Sequence, residues 1–174
     1  NECVYSESYT IDPLPAISVV GQAVNDVSCF GAADGSVQYI VTGTSNFEYS
    51  VNGSPAVPGT SPIVLTGLAA GVYTIVVTDI DTNCEATASV TVEEPSTALA
   101  IALDVTPISC VDSGSVVITA TGGWGGYSFT LTLPDTTVLP PQTNGTFTNL
   151  TQAGTYTATV EDVNGCIVSD TFDL

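Results

Sequence analysis

With 174 residues, 44% of them hydrophobic, the chain is long enough for one domain or two. Its 18 Asp and Glu residues face no Lys, Arg or His, giving a formal net charge of −18. No ion pair can form between side chains, no basic side chain is present to neutralise phosphates, and imidazole bases, Schiff-base amines and guanidinium clamps are absent. Nucleic-acid binding, attachment to an anionic membrane surface and Ser-His-Asp or Cys-His catalysis are thereby excluded.

Taken in chain order, residues 1–12 read Asn-Glu-Cys-Val-Tyr-Ser-Glu-Ser-Tyr-Thr-Ile-Asp and match the segments that begin at Asn83-Cys84 and at Asn164-Gly165-Cys166. They are expected to be the closing strand of a preceding repeat. Pro13-Leu14-Pro15 follows as a stiff linker, because proline fixes φ and restrains its predecessor. A first β-sandwich repeat is expected over 13–94, with strands at 17–24, 36–41, 47–51, 62–65, 72–78 and 85–92, where Val, Ile, Thr and aromatic residues alternate or cluster. Turn signals separate them at Ala33-Asp34-Gly35, Val51-Asn52-Gly53 and Ala70-Gly71.

After the acidic linker Glu93-Glu94-Pro95-Ser96-Thr97, a second repeat is expected over 95–174. The stretch from Gly67 to Cys84 recurs as Leu150 to Cys166, keeping Gly, Tyr, Asp, Asn and Cys in order. Thr42-Gly43 is echoed by Thr121-Gly122, and Phe47-Glu48-Tyr49 by Tyr127-Ser128-Phe129. Two aromatics separated by one residue share a strand face, so these pairs are expected to fill the core of each repeat. Short strands without a helical period make the fold all-β, a pair of small sandwiches in tandem. Tyr73 and Tyr156 are expected to occupy the same place in the two copies.

The order Cys29-Phe-Gly-Ala-Ala-Asp-Gly-Ser-Val37, then Gly67-Leu-Ala-Ala-Gly-Val-Tyr-Thr-Ile-Val-Val-Thr-Asp79, then Asn83-Cys84 and a closing strand before Glu94-Pro95, resembles the SprB-type repeat of Bacteroidetes cell-surface and gliding-motility adhesins. The second copy departs from it near Cys110, where Val111 stands for Phe30-Gly31 and the spacing to Gly114 is shorter. The resemblance implies an Ig-like or PKD-like sandwich, export by the type IX secretion route, and an adhesive role at the cell surface.

Within each complete repeat the first cysteine precedes the second strand and the second opens the last strand. Cys29–Cys84 and Cys110–Cys166 are therefore the expected disulfides, each worth about 4 kcal/mol on the chain-entropy relation. Cys3 is expected to pair with a cysteine upstream of the chain. Zinc is a poor fit, because the cysteines are scattered and His is absent.

Asp79, Asp81 and Asn83 offer oxygen ligands at alternate positions, a candidate calcium loop, although turn chemistry explains the same residues and no EF-hand Gly or Glu accompanies them. Otherwise no cofactor is expected. Trp124, in Gly122-Gly-Trp-Gly-Gly126, is expected on a loop, stacking on a sugar ring, meeting a neighbouring domain or capping the sandwich end.

The function expected is structural and adhesive, not enzymatic: a stalk or filament segment of a large secreted bacterial surface protein. Its partners would be neighbouring repeats and adhesion targets such as surface glycans. The alternative is a carbohydrate-binding module that uses the Trp124 loop.

Overall fold

The computed structural model describes residues 4–10 and 16–174, and every regular element among them is a β-strand. In order these are β1 (Ser18–Asn25), β2 (Gly35–Thr42), β3 (Phe47–Val51), β4 (Val57–Gly59), β5 (Ile63–Leu68), β6 (Gly71–Asp79) and β7 (Glu85–Val92). There follow β8 (Ala100–Thr106), β9 (Gly114–Thr121), β10 (Ser128–Thr132), β11 (Thr146–Leu150), β12 (Thr155–Glu161) and β13 (Ile167–Asp173). The first half makes sheets β1-β2-β5 and β4-β3-β6-β7, and the second makes β11-β9-β8 and β10-β12-β13. The fold is all-β, built of small sheets of three and four strands. Cys3 and Pro13-Leu14-Pro15 lie outside the described residues. Residues 4–10, where a closing strand is expected, are exposed and belong to no sheet.

By contacts the chain divides into two compact units. One gathers Gln38–Val64 and Tyr73–Val90 with residues 16–22. Its core is Val19, Tyr39, Val41, Phe47, Ile63, Ile75, Val77 and Val90. The alternation on β6 shows why: Ile75 and Val77 turn inward while their neighbours stay half exposed, as a period of two requires. The Tyr39 hydroxyl, deep in this core, donates to the Tyr73 carbonyl, and its burial raises the phenol's pKa.

The other unit holds Ala23–Val37, Leu65–Val72 and Thr91–Leu174. Val116, Ile118, Phe129, Leu131, Phe147, Leu150, Tyr156, Ala158 and Val160 pack from β9, β10, β11 and β12 into one core. Tyr156 stacks on Phe172 with ring centroids 5.2 Å apart, and its hydroxyl donates to the Gln152 carbonyl at 2.9 Å. The expected aromatic pairs divide their burial: Phe47 and Phe129 are buried, Tyr49 and Tyr127 half-buried.

The stretches expected to be copies of one another share their internal register. Phe47 pairs with Asp79 and Tyr49 with Val77 across β3 and β6, just as Phe129 pairs with Val160 across β10 and β12. Tyr73 and Tyr156 both lie six residues before an aspartate, Asp79 and Asp162, and share a strand face with the inward residues that precede it. Gly43 and Gly122 both adopt positive φ, at 88° and 74°. A Cβ on either would strike a carbonyl oxygen, that of Ala16 or of Ala98.

The disulfide expectation is corrected. Cys29 is bonded to Cys166, with Cα atoms 5.4 Å apart, while Cys84 and Cys110 are free and exposed. Strand direction is the reason. Cys84 opens β7, whereas the loop carrying Cys29 bonds to the residue after that strand's other end: Val27 N–H donates to the Glu93 carbonyl at 3.2 Å. A similar geometry holds around Cys110. Gly114, which follows the Cys110 loop, lies against Leu174 at the end of β13, whereas Cys166 precedes that strand's start.

Candidate functional site

The residues around the Cys29–Cys166 bond form a connected polar cluster, and all of them lie within the unit that contains β8 to β13. Three segments meet there: the loop 26–34 between β1 and β2, the Gly-rich loop around Trp124 between β9 and β10, and the hairpin 162–166 between β12 and β13.

The loop 26–34 is closed by its own side chains. Asp34 Oδ1 accepts the Ser28 N–H at 2.9 Å. Hydrogen bonds from the Ser28 side chain and then its backbone hold the Asp34 carboxyl below the ordinary carboxylate range. Gly31 takes a φ of 74° that glycine adopts without strain, and its N–H donates to Glu94 Oε2 at 3.0 Å. Asp26 Oδ1 accepts the Glu93 N–H at 2.8 Å. Val27 is fully buried. The acidic linker is thus tied to this loop at Glu93 and Glu94.

Trp124 is half-buried, and its indole Nε1–H donates to the Val27 carbonyl at 3.0 Å. Its backbone N–H donates to Asp162 Oδ2 at 2.9 Å. The other oxygen of Asp162 accepts the N–H groups of Asn164 and Cys166, each at 3.0 Å. Val163 N–H donates to the Gly125 carbonyl and Gly123 N–H to the Thr97 carbonyl, at 3.0 and 2.9 Å. One buried carboxylate therefore fixes both the tryptophan loop and the hairpin that presents Cys166.

Beside the disulfide an open cleft of about 500 Å³ is lined by Val24, Asn25, Asp26, Ser28, Asp34 and Asn164. Its two carboxylates give it negative potential. Among the described residues, however, no three Cys, Asp or Glu side chains gather as metal ligands.

Of the residues singled out from sequence, Cys29, Cys166 and Trp124 come together here. Asp79, Asp81 and Asn83 lie in the other unit, in the β6–β7 hairpin. There Asp79 Oδ1 accepts the N–H groups of Asp81 and Thr82 at 2.9 and 2.8 Å. Thr44's hydroxyl and then the Thr82 N–H hold its carboxyl below the usual range. Asp81 Oδ1 accepts the Asn46 amide at 3.0 Å, and Asn83 closes the turn with a φ of 57°. Asp79 Oδ1 and Asp81 Oδ1 are thus engaged by hydrogen-bond donors of the protein itself.

Sequence reasoning missed Asp162, Val27 and the acceptor roles of Asp26 and Glu94. For Asp162 a signal existed: it continues the inward-facing series Tyr156, Ala158, Val160, so a carboxylate falls where an apolar residue is due.

Residues 102–136 match the sequence model of the SprB repeat. No curated protein matches the chain. Among solved structures, similarity extends to the amphioxus IgVJ-C2 molecule, with 17% identity over 75% of this chain and 88% of that one and a TM-score of 0.37. A C-terminal fragment of intimin, in complex with the intimin-binding domain of its translocated receptor, is 15% identical over 92% of this chain and 64% of its own length, at a TM-score of 0.44. A tetra-tandem repeat from the extending region of a large adhesion protein is 14% identical over 91% of this chain, which spans 49% of it, at a TM-score of 0.35.

Proposed function

We propose that this chain is a structural and adhesive segment of a large secreted bacterial surface protein, two SprB-type repeats (13–94 and 95–174) of a stalk or filament that holds an adhesive surface away from the cell. Export by the type IX route and a part in gliding motility belong to this reading through the SprB resemblance. The observation that supports it is the Cys29–Cys166 bond across a separation of 137 residues, which on this division of the repeats would join a loop of the first to a hairpin of the second. A covalent tie between consecutive repeats serves a chain that transmits tension, and it does nothing for turnover. The absence of Lys and Arg also leaves no cleavage point for trypsin-like proteases. Glycan binding through Trp124 is the second reading, to be tested by a glycan array read with native chain and Trp124→Ala.

Single-molecule pulling from the two ends tests the mechanical reading. Oxidised chains should release no length between the bonded cysteines. Reduction should add the 137-residue separation, roughly 470 Å at about 3.4 Å per extended residue. Equal contour lengths before and after reduction would sink the proposal.

A further inference from the structure

Among the described residues, the two cysteines left free are the register equivalents of the two that are bonded. Cys84 stands where Cys166 stands: each follows a β-hairpin turn whose aspartate N–H donates to that cysteine's carbonyl, Asp79 to Cys84 at 2.9 Å and Asp162 to Cys166 at 3.0 Å. Cys110 stands where Cys29 stands, in Ile108-Ser-Cys before β9 as against Val27-Ser-Cys before β2. Both free thiols are exposed, and Val111 beside Cys110 is 88% exposed.

We infer that Cys84 and Cys110 are half-sites for inter-repeat disulfides of the same staggered kind as Cys29–Cys166. Each repeat's loop cysteine bonds to the hairpin cysteine of the repeat that follows, so Cys84 takes the loop cysteine of a preceding SprB-type repeat and Cys110 the hairpin cysteine of a following one. The inference rests on the tandem-array reading and adds the pairing rule. The bonded pair supplies the template, since the same two positions are already joined once in this chain. In each bond two thiols lose two protons and two electrons as S–S forms. A low-molecular-weight disulfide such as oxidised glutathione accepts both, its own S–S bond breaking to two thiols.

The test uses the full chain with Cys3→Ser throughout. One preparation carries Cys84→Ser, leaving Cys110 free, and the other, isotopically labelled, carries Cys110→Ser, leaving Cys84 free. They are mixed in equal amounts with oxidised glutathione at high salt, where the repulsion between chains is screened. Disulfides are mapped without reduction after cleavage at Asp and Glu. The expected product is the mixed dimer Cys110–Cys84, well above the share that random pairing gives. Random pairing, a majority of like-with-like dimers, or no dimer would each overturn the inference. The same maps show whether Cys29–Cys166 is present in every monomer. Its absence would instead refute the template bond and with it the mechanical reading.

Discussion

Asp162 shows how single residues here do what ion pairs do elsewhere. It is buried and accepts three backbone N–H groups, from Trp124, Asn164 and Cys166. Asp162→Ala leaves those donors without their acceptor, and a hydrogen bond to a charged group contributes about 1.5–3 kcal/mol. The variant should lose about 2–3 kcal/mol in urea denaturation, and its tryptophan emission should shift as the Trp124 loop loosens. Gly43 and Gly122 make a matched pair: each has positive φ and faces a carbonyl oxygen that a Cβ would strike. Either glycine replaced by alanine should cost about 1–3 kcal/mol, and equal costs at the two positions would confirm their equivalence. Asp79 has a pH signature. Its folded pKa is depressed by bonds from Thr44 and Thr82, so its contribution is present above its unfolded value, about 3.9, and is lost as pH falls through the folded value. The stability gap between native chain and Asp79→Asn should hold steady above about pH 5 and shrink below about pH 4.

At the scale of elements, most strands were legible because their apolar residues alternate. The expected 85–92 coincides with β7, and 36–41 and 72–78 fall inside β2 and β6. β4 was not legible: Val57-Pro58-Gly59 is too short to alternate, and its proline argues against a strand until pairing on the sheet edge beside β3 supplies the reason. The cysteines were legible as residues and misread as pairs. Their order along the chain is the same for an intra-repeat and a staggered bond, and only strand direction places Cys29 and Cys84 beside opposite ends of β7. The network around Asp162 was illegible for a related reason, since Trp124, Val27 and Cys166 are distant in sequence and meet only when the loops do. The staggered bond also closes a longer loop than the expected pairings. A separation of 137 residues gives about 5 kcal/mol on the chain-entropy relation. Cys29→Ser and Cys166→Ser should therefore destabilise the chain by several kcal/mol and lower its melting temperature, whereas Cys84→Ser and Cys110→Ser should leave both nearly unchanged. Differential scanning calorimetry of the four variants reads this directly.

At the scale of the whole molecule, charge outweighs every other long-range effect. Eighteen acidic side chains with no basic one mean that every long-range side-chain interaction is repulsive, and self-repulsion of this kind disfavours the compact state. Added salt shortens the Debye length from about 30 Å at 0.01 M to about 10 Å at 0.1 M, so sodium chloride should raise the melting temperature steadily over that range. Calcium divides two explanations. If it acts only by screening, calcium and sodium chloride at matched ionic strength should give the same melting temperature within about two degrees, and a chelator should change nothing further. The local geometry favours this outcome. Asp79 Oδ1 already accepts two backbone N–H groups, Asp81 Oδ1 holds the Asn46 amide, and no cluster of three acidic ligands forms among the described residues. A bound ion would instead give a saturable rise that grows with the logarithm of free calcium, as mass action requires. Should that rise appear in the native chain and vanish in Asp79→Asn, the β6–β7 hairpin is a calcium site, and the hydrogen bonds of the turn do not hold its oxygens firmly enough to keep the ion out.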